Sequence, residues 1–147
     1  TALGSCHSFG NRAYTEEVIL PDSCATITHY PFAYYTALKK VHLPESLTAI
    51  PYHCFNGCGL ASIEIPPHVN SIASASFGDC NKMIYMDLRR VLTVPTLGNV
   101  NAFSRNTCQF IVPDALYEEW TSDTQTNWNT LKGRIVRASE FVEPTNE

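Results

Sequence analysis

Leu20-Pro21-Asp22-Ser23, Leu43-Pro44-Glu45-Ser46 and Ile65-Pro66-Pro67-His68 are three versions of one phrase, and their spacing decides the fold. Each phrase runs on, without gaps over most of its length, to an isoleucine and then a phenylalanine. The prolines fall at 21, 44 and 66, the isoleucines at 27, 50 and 72, and the phenylalanines at 32, 55 and 77. Every column therefore steps by 23 residues and then by 22. Co-registered columns of this kind are the mark of a repeat architecture.

The register extends outward in both directions. Phe9 lies 23 residues before Phe32, and Arg12, Tyr35, Cys58 and Cys80 each follow a column Phe by three residues. Further apolar columns are Leu38/Leu60/Met83, Val18/Val41/Ile63/Met86 and Leu20/Leu43/Ile65/Leu88. The last two alternate with polar residues, the period-2 pattern of a strand with one buried side. The Pro after the strand cannot donate a ladder hydrogen bond and marks its end. One unit alone cannot bury its apolar side, whereas stacked units turn each column into a continuous buried stripe. A fourth repeat, from Met83 to Phe110, has slipped spacing: Val94-Pro95 is expected to echo Ile50-Pro51, and Phe103 to replace the column Phe.

The pattern Leu60-x-x-Ile63-x-Ile65-Pro66, Val69-x-x-Ile72, Phe77-x-x-Cys80 resembles the BspA-type leucine-rich repeat, also described from Treponema surface proteins. Val94-Pro95-Thr96-Leu97, Asn101-Ala102-Phe103 and Ile111-Val112-Pro113-Asp114-Ala115-Leu116, with Asn127-Trp128 and Ile135 beyond, resemble the closing module of gut-bacterial members. The first repeats fit less well, having Arg12 and Tyr35 where Cys is usual. The resemblance implies a β-rich, right-handed leucine-rich-repeat solenoid of about four turns of ~23 residues, capped by short α-helical structure. It also implies surface-exposed or secreted proteins of host-associated bacteria that serve adhesion and protein binding, with related modules in phage tail proteins. No catalytic residues belong to the pattern.

The remaining features narrow the function. The chain has 147 residues, with 44% apolar and 16% charged residues, which suits one folded domain and argues against disorder. Residues 1–110 are expected to form the solenoid and 111–147 its cap and tail. Acids and bases are interspersed and the net charge is −4, so a nucleic-acid partner has no basic face to bind. No apolar run approaches the roughly 20 residues of a membrane span. The chain opens on Thr1 with no initiator Met or leader, so a fragment or processed boundary is expected there.

In the cap, Pro113 to Trp120 reads as a short helix with Asp114 accepting from its first N–H groups, and Leu116 and Trp120 on one face. A second helix is expected from Asn127, with Trp128, Leu131 and Ile135 on one side and Gly133 near its end. The two tryptophans are expected to cover the open edge of the last repeat, ligand stacking being the alternative. The stretch from Glu143 is expected to be loose.

Six cysteines raise other chemistry. Cys54-x-x-x-Cys58 has the spacing of a zinc pair, with Cys80 and His53 as further ligands. Cys58 and Cys80 share a column, however, where a small soft side chain packs as a buried ladder, so packing is expected ahead of a metal or an inter-repeat disulfide. Cys6, Cys24 and Cys108 have no column partner, and a Cys6–Cys24 bridge stays open. Five histidines (His7, His29, His42, His53, His68) are present, with His53 and His68 expected in exposed turns. No nucleophile elbow, metalloprotease helix or phosphate-binding loop occurs, so no enzyme, cofactor or metal site is expected. An enzyme with a dispersed His or Cys site is the rival from that class.

The informative positions flank the buried strand column. Glu17, Lys40, Ser62 and Tyr85 precede it, and Ile19, His42, Glu64 and Asp87 follow it. In-register stacking would set these as two rows on one exposed sheet face. Lys40, His42, Ser62, Glu64, Tyr85 and Asp87 form the expected partner-binding patch, with Tyr85 as aromatic anchor. The bland alternative is a solvated polar face. Tyr30, Tyr34 and Tyr35 form a second group, suited to edge-covering packing or to contact. The expected function is non-enzymatic binding at a bacterial surface, the partner being a protein (a host extracellular or cell-surface protein included) or a glycan. The alternative is a structural spacer or terminal domain of a larger surface or phage tail protein.

Overall fold

In a computed structural model that describes residues 2–3, 11–28 and 30–145, the apolar columns become short parallel strands. They are β1 (Ala2–Leu3), β2 (Glu17–Ile19), β3 (Thr26–Ile27), β4 (Lys40–His42), β5 (Ala49–Ile50), β6 (Ser62–Glu64), β7 (Ser71–Ile72), β8 (Tyr85–Asp87), β9 (Thr96–Leu97), β10 (Gln109–Val112) and β11 (Ile135–Arg137). Strands of one set pair only within that set: β2 with β4, and β6–β8–β10–β11 in one sheet. The other set gives β1 with β3, and β5–β7–β9. All these pairings are parallel, and each joins a residue to its column mate, as Val18 to Val41, Ile63 to Met86, and Ile50 to Ile72. Leu97, not Val94, pairs with Ile72 and fills the isoleucine column, because the last repeat carries extra residues before that strand.

Phenylalanines form a third line through the core. Phe32, Phe55, Phe77 and Phe103 stack nearly face-parallel, with centroids 5.4, 5.4 and 5.8 Å apart and interplanar angles of 11°, 16° and 6°. Phe103 thus takes the column position expected of it. Their backbone follows the same repeat: the N–H of Phe32, Phe55 and Phe77 donates to the carbonyls of Cys54, Ser76 and Ala102 in the next repeat, at 3.1, 2.8 and 2.8 Å. The chain turns sharply on either side of each ring. Two residues before it, Tyr30, His53 and Ala75 have φ of 65°, 54° and 54°. Two residues after it, Tyr34, Gly57, Asp79 and Arg105 have φ of 63°, 69°, 59° and 55°. Only at Gly57 is this left-handed backbone free of the Cβ penalty. Gly59 is required for a different reason: a Cβ there would lie 2.1 Å from the Thr36 carbonyl oxygen of the preceding repeat. Phe9, which would begin the column, lies outside the described residues.

The cap departs from the expected helices. Asp114–Leu116 is a 3-10 turn, α1 is the single turn Tyr117–Trp120, and Trp128–Arg134 is a 3-10 helix containing Gly133. Asp114 lies inside the first turn instead of capping it. Its carboxylate accepts from the Ser139 N–H at 3.0 Å, and hydrogen bonds from Ser139, the side chain's first and the backbone's second, hold it below the ordinary aspartate range. Ile135 leaves the helix for β11, because pairing with β10 extends the sheet by one strand. Strand β10 itself straddles residues 110 and 111.

Three polar side chains of this cap find partners on the last repeat, while the buried Trp120 indole N–H has none among the described residues. Trp128 Nε1 donates to the Pro95 carbonyl at 2.7 Å and Asn127 Nδ2 to that of Leu97 at 2.7 Å. Arg134 donates to the Cys108 carbonyl and to Asn106 Oδ1, both at 2.8 Å, with its guanidinium 4.8 Å from the Phe110 ring centre. Trp120 packs edge-on against Trp128 at 5.3 Å. Both indoles are fully buried, consistent with closing an apolar edge.

The aromatic column is the core's most specific element, so truncating its centre is expected to be severe. Phe55→Ala should cost about 3–5 kcal/mol in chemical denaturation through the cavity it leaves between Phe32 and Phe77. Tyr14→Ala, at a site 79% exposed, should stay within about 0.5 kcal/mol. Similar midpoints for the two variants would show that the rings do not share one interior.

Candidate functional site

The two rows flanking the buried column come together pair by pair. In register lie Glu17 with Lys40 and Ile19 with His42, then Ser62 with Tyr85 and Glu64 with Asp87. Between these groups the ladder is interrupted, for β4 and β6 are not hydrogen-bonded neighbours. The opening forms a groove of about 490 Å³ that holds Lys40, His42, Ser62, Glu64, Tyr85 and Asp87, with Val41 and Ile63 of the inner column reached at its floor. The six predicted residues thus share one concave surface. Glu17 and Ile19 are exposed beyond its rim.

The charges are arranged as bridges between repeats. Glu17 accepts from His42 Nε2 at 3.2 Å and lies 3.8 Å from Lys40 Nζ, while Glu16 accepts from Lys39 at 2.6 Å. On the other side Arg89 forks onto Asp87 with contacts of 2.9 and 2.6 Å. Arg90 donates to Glu64 at 2.7 Å and to both oxygens of Glu45 at 2.9 and 2.7 Å. These acceptors raise both guanidinium pKa values, the bonds donated to Asp87 being the largest influence on Arg89 and those donated to Glu45 on Arg90. Exposed pairs of this kind add little stability singly. Their geometric effect is larger, because Arg90 spans the place where the ladder is open.

Sequence reasoning missed Glu45, Arg89, Arg90, Phe141 and Glu143. One signal was present: Arg89 stands where the other repeats have Pro21, Pro44 and Pro66, and Arg90 where they have Asp22, Glu45 and Pro67. Glu143, where the stretch expected to be loose begins, is exposed, and its carboxylate lies 3.5 Å from Arg89 Nη2. Phe141 rests against Tyr85, with ring centres 4.9 Å apart. The predicted aromatic anchor is therefore half-covered by its own chain.

The tyrosine group separates. Tyr35 is fully buried and meets Phe32 edge-on at 5.9 Å, filling the column position of Cys58 and Cys80. Tyr30 and Tyr34 are exposed, Tyr30 lying 5.6 Å from Tyr52 and 5.0 Å from His53. His53 is half-buried and His68 exposed, while His29 and His7 lie outside the described residues.

The cysteine column has its own bonding. Cys58 Sγ donates to the Phe32 carbonyl at 2.9 Å and Cys80 Sγ to the Phe55 carbonyl at 3.0 Å. Asn106 Nδ2 makes the same bond to Phe77 at 3.0 Å, three residues after Phe103. At these three positions the column places a small buried donor on the Phe carbonyl of the preceding repeat. Cys24, Cys54, Cys58, Cys80 and Cys108 are free and buried, and Cys6 lies outside the described residues. Among the described residues no three potential ligands converge as a metal site. Burial pushes Cys80 up to about 12 and Cys108 up to about 11, and raises Cys54 and Cys58 as well.

Stacked parallel repeats with a ladder of buried apolar columns define a leucine-rich-repeat protein, a class that is in general a non-enzymatic binding scaffold. The BspA type leucine rich repeat region matches residues 5–117 in six copies, and the chain belongs to that family. No curated protein matches it.

The buried thiols set an alkaline limit. An unfolded Cys ionises near 9.0, whereas the folded ones hold their protons to higher pH. Their contribution is therefore complete below pH 9 and is lost as pH rises toward 11–12. Denaturant melts of the double variant Cys80→Ala/Cys108→Ala are expected to show a shallower decline from pH 8.5 to 10.5 (about this span) than those of the parent. Parallel declines would mean that the thiols ionise freely in the folded chain.

Proposed function

We propose that this chain is a non-enzymatic recognition module working outside the cell at a bacterial surface. Residues 1–110 would wind as a right-handed solenoid of about four ~23-residue turns, closed by 111–147. Its partner is a protein or glycan met by the outer sheet face, with Lys40, His42, Ser62, Glu64, Tyr85 and Asp87 as contacts. The observation that carries this reading is the groove at the β4/β6 opening, where side chains from three repeats converge around polar and aromatic groups. A repeat scaffold suits that work because it fixes side chains over a long span. Tyr85 offers a ring at low conformational cost, of the type found at interface hot spots. Membership of the BspA-type family supports an interaction or surface role. No helix among the described residues is long and apolar enough to cross a membrane.

The test is the triple variant His42→Ala/Glu64→Ala/Tyr85→Ala, screened with the parent against purified extracellular-matrix and cell-surface proteins and a glycan array. Binding by the parent is expected to weaken at least about tenfold in the variant, which corresponds to about 1.4 kcal/mol. The thermal midpoint should move by only a few degrees, since the three side chains lie outside the buried columns. Undiminished binding by the folded triple variant would place the contact elsewhere.

A further inference from the structure

We infer that the sheet face takes an extended peptide segment of a partner protein in which an aromatic side chain is followed, two residues on, by a carboxylate. This rests on the sheet-face reading and names its ligand class. The observation behind it is that a segment of this description is already seated there. After β11 and the 3-10 turn Ala138–Glu140, the chain is extended at Phe141, with φ −78° and ψ 130°. Phe141 lays its ring against Tyr85 at 4.9 Å and 55°, and Glu143 reaches Arg89 at 3.5 Å. Val142 between them is 83% exposed. That is the alternation of an extended chain, with residues i and i+2 turned to one side and i+1 to the other.

The seat is shallow. Phe141 is only half-buried, and its neighbours from Val142 to Thr145 are exposed. The carboxylate sits at the limit of hydrogen-bond length from Arg89, which is committed more closely to Asp87 at 2.6 Å. The segment also covers one end of the groove alone. Ser62, Glu64, Lys40 and His42 continue it beyond Tyr85, and the Lys40 ammonium lies 3.8 Å from Glu17, past hydrogen-bond distance. A longer ligand that begins on Tyr85 and Arg89 would run on over these groups. The internal segment does not. It therefore acts as a weak tethered competitor, whose local concentration is of millimolar order and whose displacement an incoming ligand must accomplish.

The test uses a fluorescein-labelled peptide copying residues 138–145, with anisotropy read on the full chain. In the released variant Phe141→Ser/Glu143→Ser the peptide is expected to bind at least about fivefold more tightly than to the parent, because the tethered competitor is gone. The milder Glu143→Gln variant, which keeps the Phe141 contact and its fold, should gain about twofold. Adding Tyr85→Ala to the released variant should weaken the peptide at least about tenfold, as should replacing the peptide's Phe by Ser. Equal affinity for the parent and both released forms, or indifference to Tyr85→Ala, overturns the inference. Should that happen while the His42/Glu64/Tyr85 variant still loses a macromolecular partner, the sheet-face reading stands and only the ligand class falls. If neither responds, both fall.

Discussion

The aromatic stack of Phe32, Phe55, Phe77 and Phe103 is the constraint to which the other features of the repeat answer. A ring in one repeat has two faces, and a single repeat can cover neither. Stacking supplies both, at a separation of 5.4–5.8 Å that stays close to the distance between paired strands. To bring each ring to the centre the backbone must bend before and after it. The left-handed residues two before and two after the ring make those bends, even where the residue is Tyr, His or Arg and the conformation costs about 1 kcal/mol or more. The carbonyls of Phe32, Phe55 and Phe77 each accept from the backbone N–H three residues on, which leaves one lone pair for a second donor. The thiols of Cys58 and Cys80 and the amide of Asn106, each from the next repeat, are that second donor for Phe32, Phe55 and Phe77.

A stack of this kind has ends, and the last ring needs a cover different from another repeat. Phe103 meets Phe110 edge-on at 4.6 Å and Trp128 at 6.0 Å, and Trp120 lies behind Trp128. The indole N–H of Trp128 and the guanidinium of Arg134 then satisfy carbonyls of the last repeat that a further repeat would have met. The sheet itself continues past this point through β10 and β11. Cap and repeats therefore share one ladder as well as one interior.

Repeat spacing made the buried columns legible, because period and polarity agreed at Val18, Val41, Ile63 and Met86, all buried in the fold. Reading was poorer wherever a residue's partner lay far along the chain. Leu97 displaced Val94 from its column because strand pairing, not the Val-Pro echo, sets the register of the slipped repeat. Ile135 has helical spacing with Trp128 and Leu131, yet an unpaired edge on β10 claims it for a strand. Tyr35 looked like a member of a surface tyrosine group, although its column position already assigned it to the interior. On the outer face the rows were readable from alternation alone. The groove was not, since it arises from the missing pairing of β4 with β6 and from arginines that interrupt the proline column.

That interruption connects the scaffold to its surface. Where β4 and β6 part, the floor of the sheet opens, and backbone hydrogen bonds join the two repeats only through other segments, among them the β5–β7 pairing and the Phe55 N–H to Ser76 carbonyl bond. Arg90 reaches across from the turn after β8, joining Glu64 to Glu45 over two intervals of the stack. Arg89 meanwhile fixes Asp87 beside Tyr85. A proline at either position would have ended its strand equally well but placed no charge over the opening. The substitution of arginines for that repeated motif thus does two things at once: it bridges the unpaired strands from outside and orients the carboxylates that border the groove. Side chains held this way lose less freedom when a ligand arrives, which lowers the entropic cost of binding at a concave surface. The least regular part of the ladder is therefore also its most organised face.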